Sequence, residues 1–402
     1  MKLKILIIDY TTHHPEVVAA LRELFSDHDV RLAVTSSFAA KFGRDFRIGP
    51  DTALIMPKKM AINAWLALVA PVIAQQDIVI FSTALRSPLL LKTLKLPTRA
   101  KKVAFVHNTH YFTERFPIDK NNYDAVFGES LLSPRAWLHY LRLRFKFFKR
   151  SCKHAVNGTQ FRNITPHIDY FCFGNENLAA YFTELTGFTN TVTLPTSMAV
   201  NDLPRPPYAD VLRIGVIGLV SPERRNYLSV IRTFDAAQLA GQLELHIFGR
   251  CPNREYAKQL TDLILELHNP QFKVIFDPNS AFIADHELRR RLLPIHLLLN
   301  PIQPYFLFQE HCEQYGSTKI SGAEADCTRF NRPILMPSAY SASEKIKAFV
   351  VSYQNNEDLA KQIVALQIAY NLHTLYKCSD ELAHNASIKM AAPLFLQQVR
   401  QT

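Results

Sequence analysis

Arg213-Ile214-Gly215-Val216-Ile217-Gly218-Leu219-Val220-Ser221-Pro222-Glu223-Arg224-Arg225-Asn226 decides how this chain is organised. The run reads as a buried strand that ends at Gly218, followed by a short turn and by two arginines that open the next helix. Just upstream, Asn201-Asp202-Leu203-Pro204-Arg205-Pro206-Pro207-Tyr208 places three prolines in four positions. Neither a helix interior nor a central strand accepts that density. Residues 201–210 are therefore an interdomain linker, and the strand at 212–218 restarts a pattern that already runs through the first half.

In the first half, short apolar runs at 4–8, 30–35, 53–56, 78–82, 103–107 and 170–174 alternate with helix-like stretches, for example near 15–25 and 62–74. In the second half the strands fall at 212–218, 243–249, 273–276, 295–300, 334–336 and 349–352. A helical stretch from 357 to 398, broken near Ser379, closes the chain. Alternation of buried strands with helices is the signal of a parallel sheet covered on both faces. The expected fold is α/β, with two doubly wound parallel-sheet domains facing a cleft. The boundaries are 1–200, the linker 201–210, 211–380, and a C-terminal helix at 381–402 placed to pack back on the first domain. In such folds ligands bind at the carboxyl ends of the strands.

The bulk numbers agree. A chain of 402 residues exceeds one ordinary core. Hydrophobic content of 48% with 20% charged residues is globular, not disordered. A formal charge of +11 favours anionic partners such as nucleotides, lipid diphosphates, phospholipid surfaces or nucleic acid. The cysteines at 152, 172, 251, 312, 327 and 378 form no Cys-x-x-Cys pair. They read as reduced thiols of a cytoplasmic protein, not as a zinc site. The first apolar run is too short for a signal peptide, and no stretch reaches the ~18 apolar residues of a membrane span.

Three strand tips of the second half carry chemistry. After Gly218, Arg224 and Arg225 can pair bidentately with a diphosphate. Cations at a helix N-terminus oppose its dipole, and an anionic ligand would offset that; the same arginines also fit a solvated first turn. His246-Ile247-Phe248-Gly249-Arg250 ends the next strand similarly: Gly249 permits close approach, and Arg250 can face a base or phosphate. The third tip is Glu313-Gln314-Tyr315-Gly316-Ser317-Thr318-Lys319-Ile320-Ser321-Gly322, where a carboxylate and a small-residue turn precede a helix. Small residues and free amides suit a phosphate, the carboxylate suits a hydroxyl-rich group, and Lys319 adds a cation. Phosphate plus polyol is the chemistry of a nucleotide sugar. The same stretch also fits a plain helix start with a Ser or Thr cap.

This layout resembles the GT-B nucleotide-sugar glycosyltransferases, with two Rossmann-like halves. The Gly-x-x-Ser-Pro-Glu-Arg turn and the Glu-x-Tyr-Gly turn are nearest to the retaining group with a Glu-x7-Glu motif. The resemblance implies that Arg224, with Arg225 beside it, contacts the donor diphosphate. It implies that Glu313 contacts the transferred sugar, and that Tyr315, Gly316, Ser317 and Thr318 supply amides to sugar and phosphate. His107, at the strand end Val106-His107-Asn108-Thr109-His110, matches the family's histidine facing the sugar. The acceptor side would fall to the first half, with His13, His14 and His110 as candidates. The chain departs from the family at Ser321, where the second motif glutamate would stand; Glu324 lies one helical turn further on. Leu219 replaces an arginine that often follows the glycine.

From Arg135 to Lys153, seven cations (Arg135, Arg142, Arg144, Lys146, Lys149, Arg150 and Lys153) occur without an acidic residue. All but Arg144 fall on one side of a helical wheel, with Trp137, Leu138, Tyr140, Leu141, Phe145, Phe147 and Phe148 on the rest. This composition fits an interfacial helix on an anionic membrane. It fits equally a helix whose aromatic face packs on the first domain. Nucleic acid is not expected, for want of a supporting fold signature.

The expected function is a cytoplasmic enzyme, peripheral on the inner face of a membrane. It would transfer a sugar, with retention, from a UDP- or GDP-sugar to a glycan or lipid-linked acceptor in cell-surface polysaccharide or glycolipid synthesis. No metal and no further cofactor is called for. The alternatives are a nucleotide-sugar epimerase of similar architecture and a non-catalytic nucleotide-sugar-binding protein.

Overall fold

A computed structural model of the chain describes residues 2–12, 14–43, 48–49, 52–84, 86–114, 123–127, 130–196, 203–204, 206–207, 210–279, 283–308, 311–368, 376 and 388–400. The chain divides into two compact units. Unit one comprises Met1–Met198, Leu307–Ile320 and Ile388–Thr402, and unit two comprises Ala199–Phe306 and Ser321–Ser387. The stretch 307–320, expected inside a continuous second domain, is thus part of unit one.

Unit one carries a seven-stranded sheet of β1 (Lys4–Asp9), β2 (Asp29–Thr35), β3 (Ala53–Met56), β4 (Ile78–Phe81), β5 (Lys101–Phe105), β6 (Tyr170–Phe173) and β7 (Thr191–Thr193). Their order is β3-β2-β1-β4-β5-β6-β7, and every pair is parallel. The helices are α1 (Pro15–Leu24), α2 (Ser36–Phe42), α3 (Ile62–Ile73), α4 (Pro88–Leu94), α5 (Thr109–Thr113), α6 (Tyr123–Phe127), α7 (Pro134–Val156), α8 (Phe161–Ile164) and α9 (Glu176–Thr186). The period of two along β1 sends its side chains to opposite faces. Ile5 and Ile7 join a core with Val17, Val18 and Leu21 of α1. Leu6 and Ile8 join a second core with Trp65, Val69 and Ile73 of α3. That two-sided burial is why the strand reads as a continuous apolar run.

Unit two carries a six-stranded sheet of order β10-β9-β8-β11-β14-β15, again all parallel. The strands are β8 (Val211–Ile217), β9 (Gln242–Phe248), β10 (Phe272–Phe276), β11 (Leu297–Leu299), β14 (Ile334–Pro337) and β15 (Val350–Tyr353). Its helices are α10 (Tyr227–Ala236), α11 (Arg254–Leu265), α12 (Asp285–Leu292), α13 (Gly322–Phe330) and α14 (Asn356–Leu366). Leu212, Ile214 and Val216 of β8 pack with Val230, Ile231 and Phe234 of α10 and Leu359 and Ile363 of α14. Two strands that periodicity did not reveal, β12 (Tyr305–Phe308) and β13 (His311–Gln314), form a separate two-stranded sheet. They stand between β11 and the loop at 315–319, with Glu313 itself in β13; the sequence reading had joined β11 to the Glu313 stretch directly.

The last helix, α15 (Ile388–Arg400), belongs to unit one. Phe395 lies 5.6 Å from Phe25, and the Tyr170 hydroxyl donates to the Gln398 carbonyl at 3.1 Å. The break expected near Ser379 lies outside the described residues. Of the linker, Pro204 and Pro207 are held within unit two: their carbonyls lie 2.6 Å from Arg332 Nη2 and 3.2 Å from His296 Nε2. Arg332 is fully buried, and its guanidinium donates to the carbonyls of Ile295 at 2.7 Å, and of Phe330 and Asn331 at 3.3 Å each.

Candidate functional site

In unit two the strand order reverses between β8 and β11: β9 lies on one side of β8, and β11, far later in sequence, on the other. Such a switch point is where open α/β sheets bind ligands. The tip of β8 is Gly218, with φ of 111°, a region that favours glycine. A Cβ at Gly249, the tip of β9, would sit 1.7 Å from the Gly218 carbonyl oxygen. Both glycines are thus required by backbone geometry at the tips. Arg225 folds back over Gly218, with Nη1 3.0 Å from where a Cβ would stand. It donates weakly to the Leu219 carbonyl and Tyr227 hydroxyl, each at 3.4 Å. Arg224 lies over the Phe306 ring at 4.3 Å, and Arg250 is exposed.

The two arginines do not open a helix, as their sequence position implied. They lie in the preceding turn, because Arg224 and Arg225 donate their amides to the Ser221 carbonyl. Asn226 is the cap of α10, accepting from Ser229 N–H at 3.2 Å. The Asn226 amide in turn donates to the Pro301 carbonyl at 2.9 Å, tying the turn to the end of β11. There Asn300 is buried; its Nδ2 donates to Ser321 Oγ at 3.1 Å, and its Oδ1 has no partner among the described residues.

Ser321 caps α13 through its side chain. Gly322 opens that helix, and a Cβ there would meet nothing within 4 Å. The N-terminus of α13 therefore presents open space beside the Asn300 amide, where anions are favoured. Glu324 is buried and accepts a hydrogen bond from the Tyr340 hydroxyl; the same hydroxyl accepts from Ser321 N–H at 3.2 Å.

The turn before α13 differs from its expected role. Gly316 (φ 86°) closes a tight loop. Its amide donates to the Lys319 carbonyl at 2.8 Å, while the amides of Ser317, Thr318 and Lys319 all converge on the Gln314 carbonyl. Tyr315 is buried. The amides of Gly316, Ser317 and Thr318, expected to receive a sugar or phosphate, are satisfied inside the loop. The helix begins at Gly322, later than the small-residue run implied, because the loop consumes that run.

The same loop lies along α5 within unit one. Thr109 N–H donates to the Thr318 carbonyl at 3.0 Å, and Lys319 Nζ to Asn108 Oδ1 at 2.6 Å. Glu313 is fully buried. Its carboxylate accepts the Tyr111 amide at 3.0 Å and the His110 amide at 3.4 Å, capping the short α5 much as an N-cap carboxylate does. Burial pushes this carboxyl up to about 7, against the hydrogen bonds from Thr318 and Tyr111 and the charge of Lys319. His110 is also buried: Nδ1 donates to the Cys312 carbonyl at 2.6 Å, and Nε2 lies 2.6 Å from the Tyr181 hydroxyl. Glu313 and His110 thus build the loop rather than standing open to a ligand.

The tips of β1, β4 and β5 form a second polar cluster at the switch point of unit one, between β1 and β4. Asp9 is buried and accepts from Thr11 N–H at 2.6 Å, Ser82 Oγ at 2.6 Å and Thr83 Oγ1 at 3.2 Å. Its carboxyl is raised by that burial, which outweighs those bonds. His107 Nε2 lies 2.9 Å from the Ser82 carbonyl. A carbonyl only accepts, so Nε2 carries the proton and Nδ1 is the bare acceptor. Burial, then the neighbouring His14, hold the imidazole well below the ordinary histidine range. His14 stacks on His107 with ring centroids 3.8 Å apart. His13 lies outside the described residues. Sequence reading missed Asp9 and Asn300. Each ends a strand with one polar residue after an apolar run, the signal that could have found them. Among the described residues, no group of three or more His, Cys, Asp or Glu could hold a metal ion.

The architecture is that of the GT-B proteins: two parallel α/β units, each with its polar cluster at a switch point. No family model matches the sequence, and no curated protein matches it. Solved structures do match along the full length. The chain is similar to the Anabaena protein HepE in complex with UDP, at 11% identity and TM-score 0.63, covering 100% of both chains. It is similar to a glycosyltransferase from Rickettsia africae, at 12% identity and TM-score 0.60, covering 100% of this chain and 98% of that one. It is also similar to the lipopolysaccharide outer core galactosyltransferase WaaB, at 9% identity and TM-score 0.55, covering 100% and 99%. At these identities the likeness is one of fold.

Proposed function

We propose that this protein is a glycosyltransferase that takes its sugar from a nucleoside-diphosphate donor bound at the β8/β11 switch point of unit two. The observation that carries the reading is the set of groups gathered there: the Gly218 and Gly249 tips, Arg224 and Arg225 in the following turn, the unpartnered Asn300 Oδ1, and the open N-terminus of α13 at Gly322. Arginines and helix-end amides can stabilise a departing diphosphate without a metal ion. The likeness in fold to HepE, solved with UDP, supports a uridine nucleotide.

Glu313 serves as a positioning residue that fixes α5 and, through it, the His107–His110 strand end. His107, neutral and with Nδ1 bare, is the unit-one group proposed to accept a hydrogen bond from a sugar hydroxyl. The acceptor is a glycan or lipid-linked glycan, a class to which WaaB, named for the lipopolysaccharide outer core, lends support. The proposed stereochemical course is retention.

Calorimetric titration with UDP, GDP and their glucose conjugates, on wild type and Arg224→Ala, tests the donor site. One nucleotide should bind, and the variant should weaken it about 10-fold or more, or ~1.4 kcal/mol, within reach of one charged contact. Binding of none of them removes the proposal. Epimer formed without acceptor, or binding with no transfer to any glycan, would replace transferase by isomerase or binding protein. The anomeric configuration of the product, read by NMR, decides retention.

A further inference from the structure

The 23-residue helix α7 has three faces, and only one is used by the fold. Ser133 caps it, accepting from Ala136 N–H at 3.0 Å, and proline occupies its first turn. A narrow line of Ala136, Tyr140, Leu143 and His154 is buried in unit one. It is fixed by the 6.0 Å edge contact of Tyr140 with Tyr123 and by the 2.8 Å bond between His154 Nδ1 and Thr159 Oγ1. On the side away from that line stand Leu138, Leu141, Phe145 and Phe148, at 50%, 52%, 68% and 64% exposure. Their spacing of three, four and three residues puts them on one stripe. Of the aromatic residues, Tyr140 and Phe147 pack on the domain, against Tyr123 and His311, whereas this stripe faces away from it, so each of the two readings its sequence allowed holds for part of the helix. Along one flank of the stripe run Arg135, Arg142, Lys146, Lys149 and Lys153, all exposed, and no Asp or Glu occurs between 134 and 156.

An apolar stripe of this kind needs an occupant, and charge selects among them. A second copy of the helix would bring five like charges against five. Nucleic acid would neutralise the cations and leave two leucines and two phenylalanines in water. An anionic bilayer satisfies both faces at once, apolar side chains below the headgroups and cations among them. We propose that α7 is a membrane-docking helix. It lies in the plane of an anionic lipid surface with Leu138, Leu141, Phe145 and Phe148 inserted and the five flanking cations on lipid phosphates.

The full-length protein would be mixed with vesicles of pure phosphatidylcholine or of phosphatidylcholine with about a third phosphatidylglycerol, and sedimented. The chain has two tryptophans; Trp65 is buried and Trp137 lies on α7, so a blue shift of emission on vesicle binding reports this helix. Binding is expected on the anionic vesicles only, weakening steeply with salt. Phe145→Ser with Phe148→Ser should lower it at least 10-fold. Lys146→Glu with Lys149→Glu should lower it as much and flatten the salt dependence. All four side chains are exposed, so the unfolding midpoint and UDP binding should stay as in wild type. Equal binding to neutral vesicles, variants that bind like wild type, or no vesicle binding would overturn the proposal. So would dimerisation abolished by the phenylalanine pair, or tight binding of a single-stranded RNA without vesicle binding. Because nucleotide binding is read in the same samples, its failure would strike the transferase reading and leave this one standing.

Discussion

Substituting Glu313 by glutamine should change how the stability of unit one depends on pH. The carboxyl is buried and raised from 4.5 to about 7. Below pH 4.5 the folded and unfolded chains both hold the proton. Between 4.5 and about 7 the unfolded chain has released it while the folded chain still holds it, so stability falls as pH rises through that window and levels off above it. At ~1.4 kcal/mol per pH unit of displacement, the loss is on the order of 3 kcal/mol. Glu313→Gln lacks the titrating group and should lose the slope, keeping only a constant offset from its altered bonds to the Tyr111 and His110 amides. Both tryptophans lie in unit one, so urea unfolding followed by their fluorescence reads the right unit. His107, whose depressed imidazole costs stability as pH drops below 6.5, acts in both proteins and cancels in the difference. The wild-type advantage over the variant should shrink by about 3 kcal/mol from pH 4.5 to 8. A difference independent of pH, or one that grows toward alkaline pH, would refute the burial argument.

Gly249→Ala should lose at least ~2 kcal/mol in chemical unfolding, because its Cβ meets backbone at 1.7 Å, whereas Gly322→Ala, with nothing within 4 Å, should stay within about 0.5 kcal/mol. His107→Asn should cut the kcat/KM of sugar transfer about 10-fold or more. The wild-type pH–rate profile should show no inflection near 6.5 that this variant removes, since the imidazole is neutral there. Arg332→Met should cost ~3 kcal/mol or more, seen as a lower urea midpoint, because four carbonyl acceptors lose a charged donor.

The sheets were legible because their strands are buried on both faces. Lys4–Asp9 and Val211–Ile217 announce themselves as apolar runs without any partner being known. β7 escaped because it is an edge strand in which only Val192 is buried, so no apolar run marks it; β12 and β13 escaped because they form their own two-stranded sheet outside the alternation of strand and helix. Gly218, Gly249 and His107 could be picked out as site candidates since each stands within two residues of a strand end. The role of Glu313 was not. Its carboxylate answers amides of Tyr111 and His110, two hundred residues away in sequence, and no local pattern encodes such a pairing. The loop amides of 316–319 escaped for a different reason. Glycine and small hydroxyl residues suit a self-bonded turn as well as they suit a phosphate, and the two are separated only by where the amides donate, here to the Gln314 and Lys319 carbonyls. The aromatic face of α7 was ambiguous because sequence spacing does not say which of three faces meets the domain.

The assembly of unit one from three separate stretches of chain bears on its birth at the ribosome. β1 turns Ile5 and Ile7 toward a core completed by Ala392, Phe395, Leu396 and Val399, which are synthesised only after the whole of unit two. Throughout translation of the intervening chain, that apolar surface, including Phe25, waits without its final cover. Nascent unit one is therefore a natural client for chaperones that hold exposed apolar surface. A chain cut after residue 387 should stay in that condition, insoluble or chaperone-bound, although every strand of its sheet is present.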